Sequence, residues 1–482
     1  MARNRTSSPL ELFVEVSRRN PEPLHRQLQH ALRDAIRDGR LRSGSAIPST
    51  RTLGRQLGVS RGIVVEAYEQ LAAEGYLATH PGGLTHVAGG STAPLTRPPE
   101  TQPRPLSVDF RPGRPDLDSF PRQAWSRSVR RVLDQAPSAR FGYLDGRGTP
   151  ELRNALASYL NRVRGTSAHP ADILICSGFA QGLALVAQVL VARSARRVAV
   201  EDPSDPEYRA TLGAAGLEVV GIPVDESGIR VDLLAATDAD AVLVTAAHQF
   251  PTGSVLPAER RAALIDWAER TNGLIVEDDY DAEFRYDRDP IGTVQGLSPG
   301  RVIYAGSASK ILAPGLRLGW LVSPAGLAGK LAAAKLAADM GSPALDQLVF
   351  ADLIERGDLD RHLRRMRAVY RSRRDSLLTA LARYVPALRP VGASAGLHVL
   401  AWLPPDADEA RIVDAALVAG IGVSGVGPRR VAPGPGALIL GFGGIAESSI
   451  DHGVRQLAEV IRSARAPRGD FAERLPCGER TV

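Results

Sequence analysis

SASKILAPGLRLGW, residues 307–320, carries Lys310, one of only three lysines in a chain that places its remaining basic charge on arginine. Arginine replaces lysine on most charged surfaces, but its guanidinium stays protonated and forms no Schiff base. A lysine retained in an arginine-biased chain, beside Ser307 and Ser309 and shortly before Arg317, reads as an amine kept for chemistry. Lys330 and Lys335 lie in an Ala/Leu-rich helical stretch and read as plain surface charges.

Outward from this stretch the pattern is one of short apolar runs separated by helical segments. DILIC (172–176), RVAVED (197–202), AVLVTA (241–246), LIVEDD (274–279) and RVIYAG (301–306) are the runs. Strands alternating with helices over residues 107–466 predict an α/β domain with a largely parallel sheet. Ligands of such sheets sit at the carboxyl ends of the strands. Residues 89–106, rich in turn residues and proline, read as a linker, and residues 467–482 as a loose tail.

Composition narrows the class. A chain of 482 residues predicts more than one domain, and its 44% apolar and 23% charged residues are those of a globular protein. No run approaches the roughly 20 apolar residues that span a bilayer, and the start MARNRTSSPL lacks a signal-peptide hydrophobic region. No membrane association and a cytoplasmic location are expected. Cys176 and Cys477 are too far apart to frame a disulfide or a zinc site, so no metal is expected. The net charge of +6 and pI near 9.5 suit a nucleic-acid partner.

Residues 21–88 supply the part that would meet it. PLHRQLQHALRDAIRDGRL (23–41) reads as an amphipathic helix with Leu24, Leu28, Leu32 and Ile36 on one side. IPSTRTLGRQLGVSRGIVVEAYEQLAAEGYL (47–77) reads as two short helices joined at Gly58, with Ser49 and Ser60 placed to cap their starts. In the second helix Val64, Tyr68 and Leu71 would face the core, while Arg61, Val65 and Glu69 face away. Arg61 falls in the first turn, where recognition helices meet base edges or phosphates. HPGGLTHV (80–87) suits a wing.

The large domain carries the pieces that pyridoxal phosphate requires: an amine, an anion for the pyridine nitrogen, a phosphate cradle and a cover for the ring. Lys310 is the amine. In LIVEDDYDAEF (274–284) Asp278 and Tyr280, two residues apart, share one face at a strand end, with Asp279 as the second candidate for the carboxylate. SGFAQGL (177–183) follows a strand and opens a helix, so Gly178, Phe179 and Ala180 offer backbone amides to phosphate. Ser307, Ser309 and Arg317 complete that cradle.

The N-terminal segment, with PSTR (48–51), GVSR (58–61), AYEQL (67–71) and EGYL (74–77), resembles the winged helix-turn-helix of GntR-type regulators. YLDGRGTPELR (143–153), HQFPTG (248–253), VEDDYDAEF (276–284) and SKILAPGLRLGW (309–320) resemble fold-type-I aminotransferases. Together they resemble MocR/GabR-type regulators over nearly the whole chain. The resemblance implies a smaller C-terminal α+β subdomain after the main sheet. It implies DNA contacts from Arg51, from the Ser60–Arg61–Gly62 turn and from the wing glycines Gly82 and Gly83. It implies a homodimer in which Tyr143 reaches the neighbouring subunit's phosphate site. It further implies a double-stranded DNA operator, with pyridoxal phosphate or a small amine or amino compound as the signal. Genes of vitamin B6 or amino-acid metabolism are the expected targets.

Departures from the pattern leave alternatives. Ile63 stands where the regulators usually carry threonine, and the wing reads Gly82-Gly83-Leu84-Thr85-His86. Asp205 replaces the usual stacking aromatic, so either Phe179 or Tyr208 covers the ring or the cofactor binds more weakly. Ile439 stands where amino-acid-handling relatives carry a carboxylate-binding arginine; Arg429 and Arg430 are nearby at a different spacing. A regulator is therefore favoured over a working aminotransferase with a DNA-binding appendage. A DNA-binding protein whose large domain has lost the cofactor is the third reading.

Overall fold

The computed structural model describes residues 14, 16–79, 84–88, 105–143, 145–286 and 291–465. The chain divides into two compact units, residues 1–103 and 104–482. In the first, helices α1 (Leu24–Arg37), α2 (Thr50–Leu57) and α3 (Arg61–Ala73) precede an antiparallel pair, β1 (Leu77–Thr79) and β2 (Thr85–Val87). The helical apolar period of α1 buries Leu28, Leu32 and Ile36 against Leu53 of α2 and Val64, Tyr68 and Leu71 of α3, with Leu24 half-buried.

Local chemistry sets the boundaries of this unit. The Ser49 hydroxyl accepts the Thr52 amide at 3.2 Å and starts α2, which stops at Gly58 in the left-handed region (φ 65°). Ser60 also occupies a helix start, at α3, but its hydroxyl makes no capping bond. The Tyr68 hydroxyl donates to the Pro48 carbonyl at 2.9 Å, fixing α3 against the segment that enters α2. Arg51, Ser60, Arg61, Gly62 and Glu69 are exposed and Val65 is half-buried. Gly82, Gly83, most of the expected linker and the expected tail lie outside the described residues.

The second unit opens with β3 (Val108–Asp109) and contains an eight-stranded sheet. Its strands are β4 (Ile173–Cys176), β5 (Arg197–Asp202), β6 (Glu218–Asp225), β7 (Gly228–Ile229), β8 (Ala241–Val244), β9 (Leu274–Asp278), β10 (Val302–Ser307) and β11 (Gly319–Val322). Their order is β4-β11-β10-β9-β8-β5-β6-β7. Strands β10, β9, β8, β5 and β6 run parallel. Strand β11 is antiparallel to both β10 and β4, and β7 to β6. The carboxyl ends of β4, β5, β8, β9 and β10 therefore share one rim with the amino end of β11. The five apolar runs of the sequence are all strands here. Helices cover both faces, which is why the runs are apolar throughout rather than alternating.

A smaller α+β part follows. Strands β12 (Arg389–Val391), β13 (His398–Trp402), β15 (Ser424–Gly425) and β16 (Ala437–Gly441) form an antiparallel sheet in the order β12-β13-β16-β15. Between them β14 (Ile421–Gly422) pairs in parallel with β3. Among the described residues no helix is long and apolar enough to cross a membrane.

Lys335 departs from its expected surface place. Its side chain is fully buried, and Nζ lies 2.6 Å from both an Asp339 carboxylate oxygen and Gln181 Oε1. Gln181 Oε1 also accepts the Ser177 amide at 2.7 Å. The ammonium is stable in the interior because an acid one helical turn on and an amide from the facing helix satisfy it. Lys330 is exposed, as expected.

Candidate functional site

Lys310 sits in the one-turn helix Ala308–Ile311 that leaves β10, and Nζ donates to the Gly113 carbonyl at 2.8 Å. Gly113 has a φ of 84°, and a Cβ there would stand 3.2 Å from the lysine nitrogen. Burial pushes the Lys310 pKa below the ordinary lysine value, with Asp281, Asp278 and Asp205 pulling the other way. A cavity of about 320 Å³ surrounds this amine, walled by Asp205, Tyr208, Phe250, Tyr280, His398 and Arg429 among others.

The adjacent acids at the end of β9 have opposite surroundings, as strand alternation requires. Asp278 is 2% exposed and accepts the Tyr208 hydroxyl at 2.7 Å. Burial raises its pKa to about 7; Tyr208 opposes the rise, and the neighbouring Asp279 adds to it. Asp279 points the other way. It takes Arg164 Nε and Nη2 at 2.7 and 3.0 Å and the Tyr304 hydroxyl at 2.9 Å, all in the interior. That carboxylate is committed to an ion pair, whereas Asp278 is bonded to Tyr208, which lines the cavity.

Tyr280 lines the cavity, with its hydroxyl 3.1 Å from His248 Nδ1. The same nitrogen lies 3.2 Å from both Asp281 oxygens, and His248 Nε2 lies 3.3 Å from the Gly392 carbonyl. A carbonyl can only accept, so Nε2 carries a hydrogen, while Nδ1 faces both the Asp281 carboxylate and the Tyr280 hydroxyl. Burial disfavours the charged ring, but the Asp281 carboxylate outweighs it and raises the His248 pKa. His248, Asp281 and His398 bring ligating atoms within 4.8 Å of one another. Hydrogen bonds with Asp281 and Tyr280 make His248, backed by that acid, a support for the Tyr280 hydroxyl.

The predicted cradle residues converge at the shared rim. Gly178, with φ 82°, opens the helix Phe179–Ala192. Its own amide, expected to face a phosphate, is instead bonded to the Cys176 carbonyl at 2.9 Å, while the first amides of the helix lack carbonyl partners within it. Arg317 Nη2 donates to the Ser177 carbonyl at 2.7 Å. A Cβ on Gly178 would lie 2.9 Å from that nitrogen, and a Cβ on Gly319 would lie 2.8 Å from Gly178 Cα. Ser307 pairs with Gly319 in register, and its hydroxyl is 2.7 Å from that of Ser309. Two hydroxyls, a guanidinium and the positive end of a helix are thus gathered around backbone that tolerates no side chain.

Asp205 does not stack on anything. It caps the helix Pro206–Ala214 by accepting the Glu207 amide at 2.9 Å. The nearby rings are Tyr208 and Phe179, edge to face with centroids 5.0 Å apart. Ile439 is fully buried in β16 against Leu400 and Val426, whereas Arg429 reaches the cavity. Tyr143 is 92% exposed on the single chain. Gly113, Tyr208 as partner of Asp278, and the His248–Asp281 pair had no role in the sequence reading. His248 falls in HQFPTG and Asp281 in VEDDYDAEF, and their meeting across the fold leaves no local periodicity.

With this geometry in hand, comparison places the chain. Residues 112–427 match the aminotransferase class I and II family, and residues 24–87 match bacterial regulatory proteins of the gntR family. An HTH-type pyridoxine biosynthesis transcriptional regulator, PdxR of Corynebacterium glutamicum, is 32% identical over 94% of this chain and 99% of its own length. The probable rhizopine catabolism regulatory protein MocR of Rhizobium meliloti is 30% identical over 93% of this chain and 98% of its own. Among solved structures, the multiple substrate aminotransferase of Thermococcus profundus superposes with a TM-score of 0.69. It is 27% identical, covering 75% of this chain and 92% of that one. The fold and site define a winged helix-turn-helix joined to a fold-type-I aminotransferase domain. The chain belongs to the MocR-type HTH transcriptional regulators and is a DNA-binding regulator.

Three outcomes follow from the site's packing. Asp279→Asn strands the buried Arg164 charge and should lower the unfolding free energy by about 3–5 kcal/mol in denaturant titration. Asp278→Asn should behave oppositely. An acid whose folded pKa is raised binds its proton more tightly when folded, so its ionisation weakens the fold as pH rises from 3.8 to about 7. The variant should gain stability relative to wild type across that interval and hold the gain above it; a flat difference would contradict the placement of Asp278. Gly319→Ala, by pushing on Gly178, should destabilise by about 1–3 kcal/mol.

Proposed function

We propose that this regulator holds pyridoxal phosphate on Lys310 and that occupancy of the site alters how its winged helices bind an operator. The observation that carries this reading is the convergence of Lys310, Asp278 and the Gly178/Arg317/Ser307/Ser309 cradle at one rim. Glycines stand wherever a Cβ would fill the space. The residues fit the group. When bound, pyridoxal phosphate supplies an electrophilic carbon for a primary amine and an electron-withdrawing ring.

This chain's residues do the rest. Lys310, with its proton affinity lowered by burial, gives up its proton more readily than an exposed lysine. Asp278 lies where a carboxylate can hold a pyridine nitrogen, and Tyr208 fixes its orientation. Tyr280, set by His248 and Asp281, presents a phenol on the lysine side. Phe179 and Tyr208 replace the aromatic cover that Asp205 lacks. Phe179 and Ala180 amides, both hydroxyls and Arg317 receive the phosphate.

A homodimer is part of the reading: Tyr143 and Phe141 are exposed, beside the first turn of the helix Pro150–Arg164. In the N-terminal unit Arg51, Ser60, Arg61 and Gly62 form the exposed DNA-reading edge, with the wing glycines Gly82 and Gly83 beyond the described residues. A DNA-bound regulator works in the cytoplasm. The relative PdxR is named for pyridoxine biosynthesis, which supports a target in vitamin B6 or amino-acid metabolism. The complete lysine, carboxylate and cradle set also supports a second reading, an aminotransferase with a DNA-binding unit. Turnover of an amino acid with a keto acid would establish it, and no turnover across a wide panel would remove it.

Purified protein given pyridoxal phosphate should develop visible absorbance, and borohydride should fix the group on the peptide containing Lys310. Lys310→Ala should form no such adduct; an intact adduct would overturn the assignment. The rate of uptake should rise with pH and level off below the ordinary lysine pKa of 10.5. Arg61→Ala and Arg51→Ala should each weaken operator binding by about 1–3 kcal/mol. Wild-type affinity in both would mean that α3 does not face DNA as proposed.

A further inference from the structure

The backbone carrying Arg429 is fastened in place by several independent bonds. The Arg429 carbonyl accepts the Ser204 amide at 3.0 Å and Arg209 Nη1 at 2.8 Å. Arg209 Nη2 holds the Pro428 carbonyl at 3.0 Å. Asp202 takes the Val431 and Ala432 amides at 2.8 and 3.0 Å. Glu409 takes the Gly427 and Ala437 amides at 2.7 and 2.8 Å. The segment 427–432 is thereby fixed to the end of β5 and the segment that leaves it, and to the helix that begins at Glu409.

The guanidinium on this backbone is only partly used. Arg429 Nη1 donates to the Gly425 carbonyl at 3.0 Å, and the group lies 5.6 Å from the Phe250 ring centre. Nε is buried without a partner, and no bond within the described residues takes Nη2. Ile439, where an arginine would clamp a carboxylate, is sealed in the β16 packing and offers nothing to the cavity. Asp205 and Glu207 line the same cavity as Lys310 and Arg429, as does Asp281, which is paired with His248. Asp205 has one oxygen engaged by the Glu207 amide and is close enough to Lys310 to favour its protonated form. Neither acid forms an ion pair with Arg429, so both signs are available to a ligand.

We infer that the signal molecule is a basic amino acid, with its carboxylate on Arg429 and its second cationic group on Asp205 and Glu207. This rests on the proposed cofactor site, since the remaining amine is directed at the position of Lys310. An amine without a carboxylate leaves Arg429 unpaired. An acidic amino acid places a second negative charge against Asp205 and Glu207, and a neutral one leaves those acids unanswered.

The test uses the full-length protein after cofactor uptake has been measured by visible absorbance. Binding of L-lysine, L-ornithine, L-leucine, L-glutamate and 1,5-diaminopentane is then followed by calorimetry and by the change in DNA affinity. L-lysine or L-ornithine should bind about tenfold or more tighter than the other three. Arg429→Gln should lose that margin for L-lysine while leaving 1,5-diaminopentane unchanged. Asp205→Asn with Glu207→Gln should bring L-lysine and L-leucine within about twofold. Equal binding of the diamine and L-lysine, preference for L-leucine or L-glutamate, or indifference to Arg429→Gln overturns the inference. So does a loaded protein that binds none of the five. Absence of cofactor uptake in the wild type would instead overturn the reading of the site on which the inference stands.

Discussion

Strand β11 runs against β10 and β4, and the site exists because of that reversal. The chain leaves β10 at Ser307, makes the turn that carries Lys310, and re-enters the sheet at Gly319 beside both strands. Arg317 is thereby delivered to the same rim as Gly178, which lies 140 residues or so earlier in sequence. Gly319 meets the Gly178 backbone without a Cβ between them, and the approach of those two glycines lets the helix N-terminus, the hydroxyls and the guanidinium share one point. A parallel β11 would return its first residue to the opposite rim and scatter the set.

Charge burial is organised around the same rim. Charged side chains in an interior are stable only when paired or hydrogen-bonded. Arg164 with Asp279, His248 with Asp281, and Lys335 with Asp339 meet that condition as pairs. Lys310 and Asp278 are different. One rests on a carbonyl and the other on a phenol, and burial drives both toward neutrality. Two ionisable groups at one rim, each hydrogen-bonded but neither in a direct ion pair, are the kind of arrangement that ligand sites hold.

Much of this was legible in the sequence because it is local. The apolar runs, the helix opening at Gly178, the spacing of Asp278 and Tyr280 and the serines around Lys310 are read within one element each. What commits Asp279 elsewhere, and so supports the preference for Asp278, was not. Neighbours on a strand point to opposite faces, but the inward face is decided by Arg164 and Tyr304, which are distant in sequence. Lys335 was misread because an Ala/Leu-rich helix shows no amphipathic face to reveal which side is covered. Gly113 pairs with Lys310 across 197 residues, and His248 with Asp281 across 33, through loops without a period. Asp205 announced a missing aromatic ring, yet only the helix it caps explains why Tyr208, a turn later, reaches Asp278.

In the proposed function, one lysine in the aminotransferase-like domain governs DNA binding by the winged helix. The most direct measurement is footprinting on DNA upstream of the protein's own gene. Wild type and Lys310→Ala would each be tested free, with pyridoxal phosphate, and with pyridoxal phosphate plus L-lysine. The wild-type footprint or affinity should change on loading, while Lys310→Ala binds the same DNA and stays unchanged in every condition. The same response from both proteins, or no response from a wild type that has visibly taken up the cofactor and L-lysine, would contradict the account.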